Sequence, residues 1–247
     1  MKRIVIIALL ALTNSCVKNE SVPIVFEELI VLANDLEGNL YQTDAIHAFA
    51  ANDMSNNDHV NIFAVVEDGA TDIKFYESDY PNIDAQNFYS YRLMEIQPTV
   101  TVDAKVKEFR HTFLRDEWII MTYKHEGKIK LSSPIRINNL FQQTQYMADI
   151  GINQEQSGMP IFDWNVQSYD DNAFFFEIMK GDTSEVLSLT FTNESRFQYF
   201  DLANVTLNLS TASPPNLVIG NDYEFMVLDV GLDHWINTVY HYNFIAE

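Results

Sequence analysis

The chain has little cysteine, glycine, proline or positive charge. The single cysteine, Cys16, excludes an intrachain disulfide, because no second thiol exists. With 8 glycines, 7 prolines and no low-complexity block in 247 residues, the composition indicates compact structure throughout. A hydrophobic content of 47% and an aromatic content of 13% are ample for a packed core, and the length suits two domains of ordinary size.

The charge balance excludes two classes of partner. Without Met1 to Ser15, which carry two positive residues and no acidic ones, 13 lysines and arginines oppose 35 acidic residues, a formal charge of −22. Such a field repels nucleic acid and anionic membrane surfaces. The acidic residues are scattered rather than collected in a run, which argues against a disordered acidic tail. We therefore expect no nucleic-acid partner.

The start of the chain has the layout of a secretory signal. Met1-Lys2-Arg3 is charged, Ile4 to Leu12 is apolar, and Thr13-Asn14-Ser15 leads to Cys16. The apolar run is far shorter than the roughly 20 residues that span a bilayer as a helix. A secretory signal that ends on a lone cysteine resembles a bacterial lipoprotein signal of the Bacteroidetes type. Thr13 stands where the usual pattern has leucine, which here lies one place earlier.

That resemblance implies where in the cell the protein is located. It implies removal of residues 1–15, lipidation of the Cys16 sulfur and a short polar tether over residues 16–23. Acyl chains at Cys16 would anchor the protein to a membrane, because several chains hold firmly where one holds marginally. We therefore expect an exported outer-membrane lipoprotein, with exposure at the cell surface as a further possibility.

The rest of the chain has the pattern of strands. Short apolar stretches rich in β-branched and aromatic residues alternate with polar turn clusters, and long helical periodicity is missing. The pattern predicts strands at "FEELIVLA", "VNIFAVVED", "DIKFYES", "YSYRLMEI", "VKEFRHTFL", "EWIIMTYKH" and "KIKLSSPIRI". Glu126-Gly127 predicts a hairpin between the last two, and a brief helical turn could begin at Thr43. Residues 24–138 are therefore predicted to form one β-sandwich of about seven strands.

The second half carries more specific motifs. In "LVIGNDY", Leu217 precedes Tyr223 by six places with Gly220 midway, and upstream Trp164 follows a proline and a phenylalanine at alternate positions. These motifs resemble the tyrosine corner and the early strand of fibronectin type III and related immunoglobulin-like domains. The resemblance implies that Tyr223, Leu217, Gly220 and Trp164 have structural roles. The predicted fold is all-β: two tandem immunoglobulin-like β-sandwich domains after a cleaved lipoprotein signal peptide, the second being fibronectin type III-like over residues 139–247.

Two late strands are apolar on both faces. Alternation after Tyr223 places Phe225 and Val227 inward and Met226 and Leu228 outward, where water normally favours polar residues. "NAFFFEIMK" has the same excess. We expect the outer face to be covered, either by the neighbouring domain or by a partner protein or ligand.

The sequence contains no recognisable catalytic motif. A metalloprotease helix motif, a phosphate-binding glycine loop and a nucleophile elbow are all absent. The six histidines are dispersed, and the closest pair, His234 and His241, does not supply the three or four ligands that zinc needs. Asp53, Asn56 and Asp58 lie in one polar loop whose oxygens could hold calcium, but the ordered spacing of a known calcium loop is missing. We expect no enzyme activity, no cofactor and no metal site, with that loop as a weak calcium candidate.

Exposed aromatic rings would suit a sugar ligand. The candidates are Tyr89 and Tyr91 in "DYPNIDAQNFYSY", which also holds Tyr80 and Phe88, and Trp235, Tyr240 and Tyr242 near the C-terminus. Trp235 follows the turn-like "GLDH" and is expected at a loop tip.

Two functions follow from these patterns. The first is a non-catalytic, membrane-anchored accessory or scaffold subunit of a cell-envelope assembly, with an envelope protein as its partner. The second is a surface glycan-binding lipoprotein that captures polysaccharide. A hydrolase with an unrecognised carboxylate pair is a distant third.

Overall fold

The computed structural model describes residues 30–56, 58–101, 105–112, 115–138, 140–166, 172–210 and 213–247. In these residues the chain is all-β, and its helices are α1, Leu32–Leu36, and one 3₁₀ turn, Phe88–Ser90. The strands form four sheets, here named A to D, which pack as two sandwiches. This confirms the predicted fold class. The signal segment lies outside the described residues, and the domain boundary at residue 138 stays a prediction.

Sheets A and B form the first sandwich. Its strands are β1 (Tyr41–Ile46), β2 (Ala48–Asn52), β3 (His59–Val65), β4 (Thr71–Ser78), β5 (Tyr91–Met94), β6 (Gln97–Thr101), β7 (Val106–Thr112), β8 (Glu117–His125), β9 (Lys128–Ser132) and β10 (Ile135–Ile137). Sheet A has the order β1-β9-β8-β4-β5, with β10 also paired to β8, and sheet B has the order β2-β3-β7-β6. Phe75 and Met121 of sheet A meet Ile62 and Phe109 of sheet B in the core.

Sheets C and D form the second sandwich. Its strands are β11 (Gln145–Met147), β12 (Ile150–Asn153), β13 (Ile161–Trp164), β14 (Asn172–Lys180), β15 (Val186–Thr192), β16 (Arg196–Gln198), β17 (Val205–Asn208), β18 (Asp222–Gly231) and β19 (Ile236–Ile245). Sheet C has the order β11-β19-β18-β14-β15-β17, and sheet D has the order β12-β13-β16. The rings of Phe162 and Phe225 stack between the two sheets, with centroids 3.9 Å apart.

Local patterns account for most strands and for the hairpin. Strand β3 alternates buried and half-buried residues, because its even-numbered side chains face the core. Glu126 and Gly127 have φ values of 49° and 74°, the left-handed pair that a two-residue turn between β8 and β9 requires. The predicted hairpin is therefore confirmed.

Two local predictions were wrong. The helix α1 occupies the end of the segment predicted as the strand "FEELIVLA", because Leu32 and Leu36, four places apart, bury the same helix face. The segment from Thr43 forms β1 and β2 rather than a helical turn. All five residues of β2, Ala48–Asn52, are buried. The strand is covered on both faces, since Ala48 and Ala50 belong to the first core and Phe49 and Ala51 to the cluster that faces sheet C.

The apolar outer face of sheet C is covered by the first sandwich. Leu228 of β18 and Phe176 and Ile178 of β14 form one buried cluster with Phe49 of sheet B. The ring centroid of Phe49 lies 5.6 Å from that of Phe176. The neighbouring sandwich, one of the two covers expected from the sequence, therefore explains the apolar excess.

Trp235 is a core residue of the first sandwich, although it follows the strands of the second. Its side chain is fully buried and packs with Ala50 and Ile135. The backbone N–H of Ala50 donates to the carbonyl of His234 over 3.1 Å, so the turn between β18 and β19 continues the edge of sheet B. The expected exposure of Trp235 at a loop tip was wrong. The turn-like sequence before Trp235 predicts a turn, but it does not show that strand β2, far away in the chain, packs against the tryptophan.

The tyrosine hydroxyl at the start of β18 holds the incoming loop. Tyr223 is buried with Leu217 in the second core, and its hydroxyl accepts a hydrogen bond from the backbone N–H of Val218 over 2.8 Å. Gly220 has a φ of +88°, a conformation that glycine adopts without strain. Trp164 lies in the same core. This is the geometry of a tyrosine corner.

Candidate functional site

Most of the predicted sugar-stacking aromatics are withdrawn from solvent. Four of the five are buried or half-buried: Trp235, Tyr91, Tyr240 and Tyr242. The hydroxyl of Tyr240 donates to the carbonyl of Asn165 over 2.7 Å, and that of Tyr91 donates to the carbonyl of Ala85 over 2.8 Å. Rings packed in a core with satisfied hydroxyls offer no face to a sugar. The prediction was therefore wrong for Trp235, Tyr91 and Tyr240.

Two exposed tyrosines remain on the surface of the first sandwich. Tyr89 is 72% exposed and Tyr80 is 71% exposed. The backbone N–H of Asp79 donates to the carbonyl of Ser90 over 3.0 Å. This bond closes the base of one loop, and the two tyrosines lie at the two ends of that loop. Their rings are accessible flat surfaces, as stacking against a sugar requires.

The proposed calcium loop is bonded to itself and to an arginine. Asp53 Oδ1 accepts from the backbone N–H and the hydroxyl of Ser55 over 2.8 and 2.6 Å, and Asp53 Oδ2 lies 3.0 Å from Arg110. Asn56 Oδ1 accepts from the N–H of Asp58. Ser55 and Arg110 together hold the pKa of Asp53 below its usual value, although its burial opposes them. The oxygens are thus engaged in local turns and an ion pair.

Among the described strands, β17 is the outermost of sheet C and an open edge. It ends the strand order of the sheet, and its sequence "VTLN" contains no charge and no proline. Leu209 N–H donates inward to the carbonyl of Leu189, and alternation then turns the N–H group of Asn208 outward, whereas the register of β17 shifts between Leu207 and Val205. Thr206 is exposed, and Leu207 is 38% exposed. Such an edge is a template for another strand.

Several other edges of the sheets are covered or interrupted. Strand β2 is bridged by His234, and Leu93 of β5 donates to the carbonyl of Ile30. Strand β6 contains Pro98, and β1 is irregular around Asp44, whose φ is 52°. Each device limits pairing with another chain. Strand alternation alone did not predict this contrast between the edges, although the uncharged "VTLN" is a sequence signal for an open one.

A cleft of about 320 Å³ opens between the two sandwiches. Its walls are mostly aliphatic and aromatic, and include Phe63, Phe176, Ile178, Met226 and Leu228. At its rim, Lys180 Nζ lies 3.1 Å from Glu224, and the Tyr146 hydroxyl donates to the carbonyl of Asn52 over 2.7 Å. Burial raises the pKa of Tyr146 to about 12, so that its hydroxyl keeps its proton. The cleft can hold an apolar group, but these rim groups are committed to protein partners.

The two closest histidines in sequence lie in different surroundings. His234 stacks on Phe49 between the sandwiches, with ring planes 4° apart, whereas His241 is half exposed beside Glu224. Burial lowers the pKa of both His234 and His47, so these rings are neutral at the seam. They serve packing rather than metal binding.

Cys16 and the predicted tether, 16–23, lie outside the described residues. Within the described ranges, the five-residue α1 is far too short to cross a bilayer, and no other helix there has the length and hydropathy to do so.

Comparison with known proteins gives distant structural likenesses. No protein-family model and no curated protein matches the chain. It is similar to the glycoside hydrolase domain of Endo-D from Streptococcus pneumoniae R6, with TM-score 0.33 and 10% identity, covering 81% of this chain and 33% of that one. It therefore spans about a third of that chain. Fibronectin(III)-like modules of Clostridium thermocellum CbhA match at TM-score 0.23 and 10% identity, over 85% of this chain and 90% of theirs. The receptor tyrosine kinase Torso matches at TM-score 0.22 and 15% identity, over 85% and 76%.

The class of the protein follows from its own sheets. The described chain is an all-β protein built of two packed β-sandwiches. In its second sandwich, the hydroxyl of Tyr223, at the start of β18, accepts a hydrogen bond from the backbone N–H of Val218. This class describes the scaffold and leaves the activity open, because such folds carry many functions.

Proposed function

We propose that the chain is a non-catalytic lipoprotein, anchored through Cys16 to the outer membrane, that acts as an accessory or scaffold subunit of a cell-envelope assembly. The observation that carries the proposal is the open edge strand β17. Strand addition supplies main-chain hydrogen bonds between two proteins without any reacting group. The partner is therefore an envelope protein that presents an extended segment.

The union of the two sandwiches supports a scaffold role. The buried cluster around Phe49 and the insertion of Trp235 join the sheets into one body. A scaffold with a fixed shape loses less conformational freedom when it binds than one with a hinge.

Proline at the open edge is expected to abolish partner binding. Asn208→Pro removes an outward N–H and leaves the inward bond from Leu209 to Leu189 of β15 in place, as an edge strand allows. Asn208→Ala is the matched control, because it also loses the side-chain oxygen that accepts from the backbone N–H of Ser210 over 2.8 Å but keeps its own N–H. Cross-linking in intact cells, followed by purification and mass spectrometry, should recover one outer-membrane protein with native and Asn208→Ala chains and lose it with Asn208→Pro.

Membrane attachment is measured in the same experiment. Cys16→Ala should move the protein out of the membrane fraction. Equal recovery of the partner with Asn208→Pro would refute the edge as the binding surface, and continued membrane fractionation of Cys16→Ala would refute the anchor.

The alternative function is capture of polysaccharide, which the exposure of Tyr80 and Tyr89 favours. If these rings stack on sugars, Tyr80→Ala with Tyr89→Ala should reduce retention on immobilised polysaccharide at least about tenfold, since stacking of this kind contributes roughly 1 kcal/mol per ring. Tyr41→Ala, at a half-exposed ring, should leave retention unchanged. Equal retention by all variants would reject this function for the tyrosine pair.

A further inference from the structure

Three metal-ligating side chains meet at one end of the first sandwich. They are Glu77 on β4, His111 on β7 and Glu117 on β8, and their ligand atoms all lie within 4.8 Å of one another. Among the described residues this is the one group of three or more histidine, cysteine, aspartate and glutamate side chains so arranged. The spacing along the chain gave no signal, because the three residues come from separate strands of two facing sheets.

The three side chains point between the sheets. Glu117 lies two places before Ile119, and His111 two places after Phe109, and both hydrophobic residues belong to the first core. Because strand residues two apart share a face, these two polar side chains also face inward. Glu117 is 2% exposed, and the His111 side chain is 11% exposed. Glu77 pairs with Ile119 on the neighbouring strand and is half-buried.

The group holds two carboxyls, which are hydrogen-bonded to each other, and one imidazole. His111 Nε2 lies 2.8 Å from Glu117 Oε1. Among the described residues, no lysine or arginine nitrogen lies within ion-pair distance of Glu77 or Glu117. The nearby Arg115 instead donates to the carbonyl of Ser78 over 3.3 Å. Two carboxylates held together away from water need a cation or a proton between them.

The donor set favours a first-row transition metal. An imidazole nitrogen suits zinc and its neighbours, whereas calcium and magnesium prefer oxygen alone. Zinc binds histidine and carboxylate at about 2.0–2.2 Å, so ligand atoms drawn together by small side-chain rotations would surround it. Three protein ligands leave one position to water.

We propose that Glu77, His111 and Glu117 bind one divalent transition-metal ion of the zinc class. The ion would link β4 and β8 of sheet A to β7 of sheet B and so stabilise the end of the first sandwich. Binding to the folded state alone raises stability by mass action. This role is independent of the membrane anchor and of the open edge β17.

Zinc binding by the purified, metal-stripped full chain tests the proposal. Equilibrium dialysis with zinc chloride and metal analysis should give one tightly held ion per chain, and zinc should raise the melting temperature. Glu77→Gln and His111→Gln should each weaken binding at least about tenfold, because loss even of a group that only supports a ligand costs about that much. These two positions are chosen because Glu117, almost fully buried, is the one whose replacement endangers folding.

A surface histidine provides the matched control. His241→Gln removes a half-exposed histidine 3.4 Å from Glu224, outside the proposed site, and should keep full binding. Cobalt substitution should give a visible absorption band that His111→Gln abolishes. The proposal is overturned if the native chain binds no zinc, if the site variants bind as the native chain does, or if calcium binds in preference to zinc.

Discussion

Replacing Trp235 with alanine is expected to lower the free energy of unfolding by about 3–5 kcal/mol, the cost of removing a buried tryptophan. This is a large fraction of the roughly 5–15 kcal/mol that stabilises an ordinary domain. The residue belongs to the β18–β19 turn but fills the first core. The loss should therefore also uncouple the two sandwiches, and urea unfolding followed by fluorescence and circular dichroism should change from one transition to two.

Two variants separate this effect from general damage to the turn. Leu232→Ala alters the same turn at a side chain that is 72% exposed, and it should leave stability unchanged. Trp235→Phe keeps most of the ring and removes an indole N–H that has no hydrogen-bond partner among the described residues, so its cost should be much smaller. Native stability in Trp235→Ala would contradict the shared core.

Replacing Glu177 with glutamine is expected to stabilise the protein in alkaline solution. Glu177 is 1% exposed on the inner face of sheet C, and only one of its oxygens has a partner, the Thr190 hydroxyl at 3.0 Å. Burial raises its pKa from the ordinary 4.5 to about 8. The folded state therefore binds this proton more tightly than the unfolded state, and stability falls as pH rises between these two values.

The size of the effect follows from the pKa. Each pKa unit corresponds to about 1.4 kcal/mol, so the native chain should lose about 5 kcal/mol relative to Glu177→Gln by about pH 9. At about pH 4, where the carboxyl is protonated in both states, the two chains should differ little. Urea unfolding of both chains across this range measures the difference directly.

Comparing the native chain with Glu177→Gln at the same pH also cancels the contributions of other titrating groups to stability. The neutral, half-buried His47 and His234 must gain protons below their ordinary pKa of 6.5, which destabilises both chains alike in acid. Glu155→Gln, on the exposed surface of the same sandwich, is the control and should show no alkaline gain. If the free energies of unfolding of the native chain and of Glu177→Gln differ by the same amount at every pH, the carboxyl is not held in the core.

Structural features that depend only on residues close together in the chain could be predicted from the sequence. Glu126 and Gly127 form the predicted turn because only the two strands beside them must pair. Tyr223 reaches Val218, five places earlier, so the corner could also be read from a short motif. The strand predicted across Leu32 was wrong. Apolar residues in so short a segment fit the periodicity of a helix as well as that of a strand, and packing against the rest of the protein selects the helix.

The sequence by itself established an all-β chain of sandwich type, since strand alternation and turn residues are local properties. It also showed that two strands of the second half needed an apolar cover. Only the tertiary structure decided that Phe49 supplies this cover, that Trp235 enters the first core, and that Glu77, His111 and Glu117 meet. The reason is physical: these contacts join residues far apart in the chain, and alternation tells which face a side chain occupies but not which sheet lies opposite.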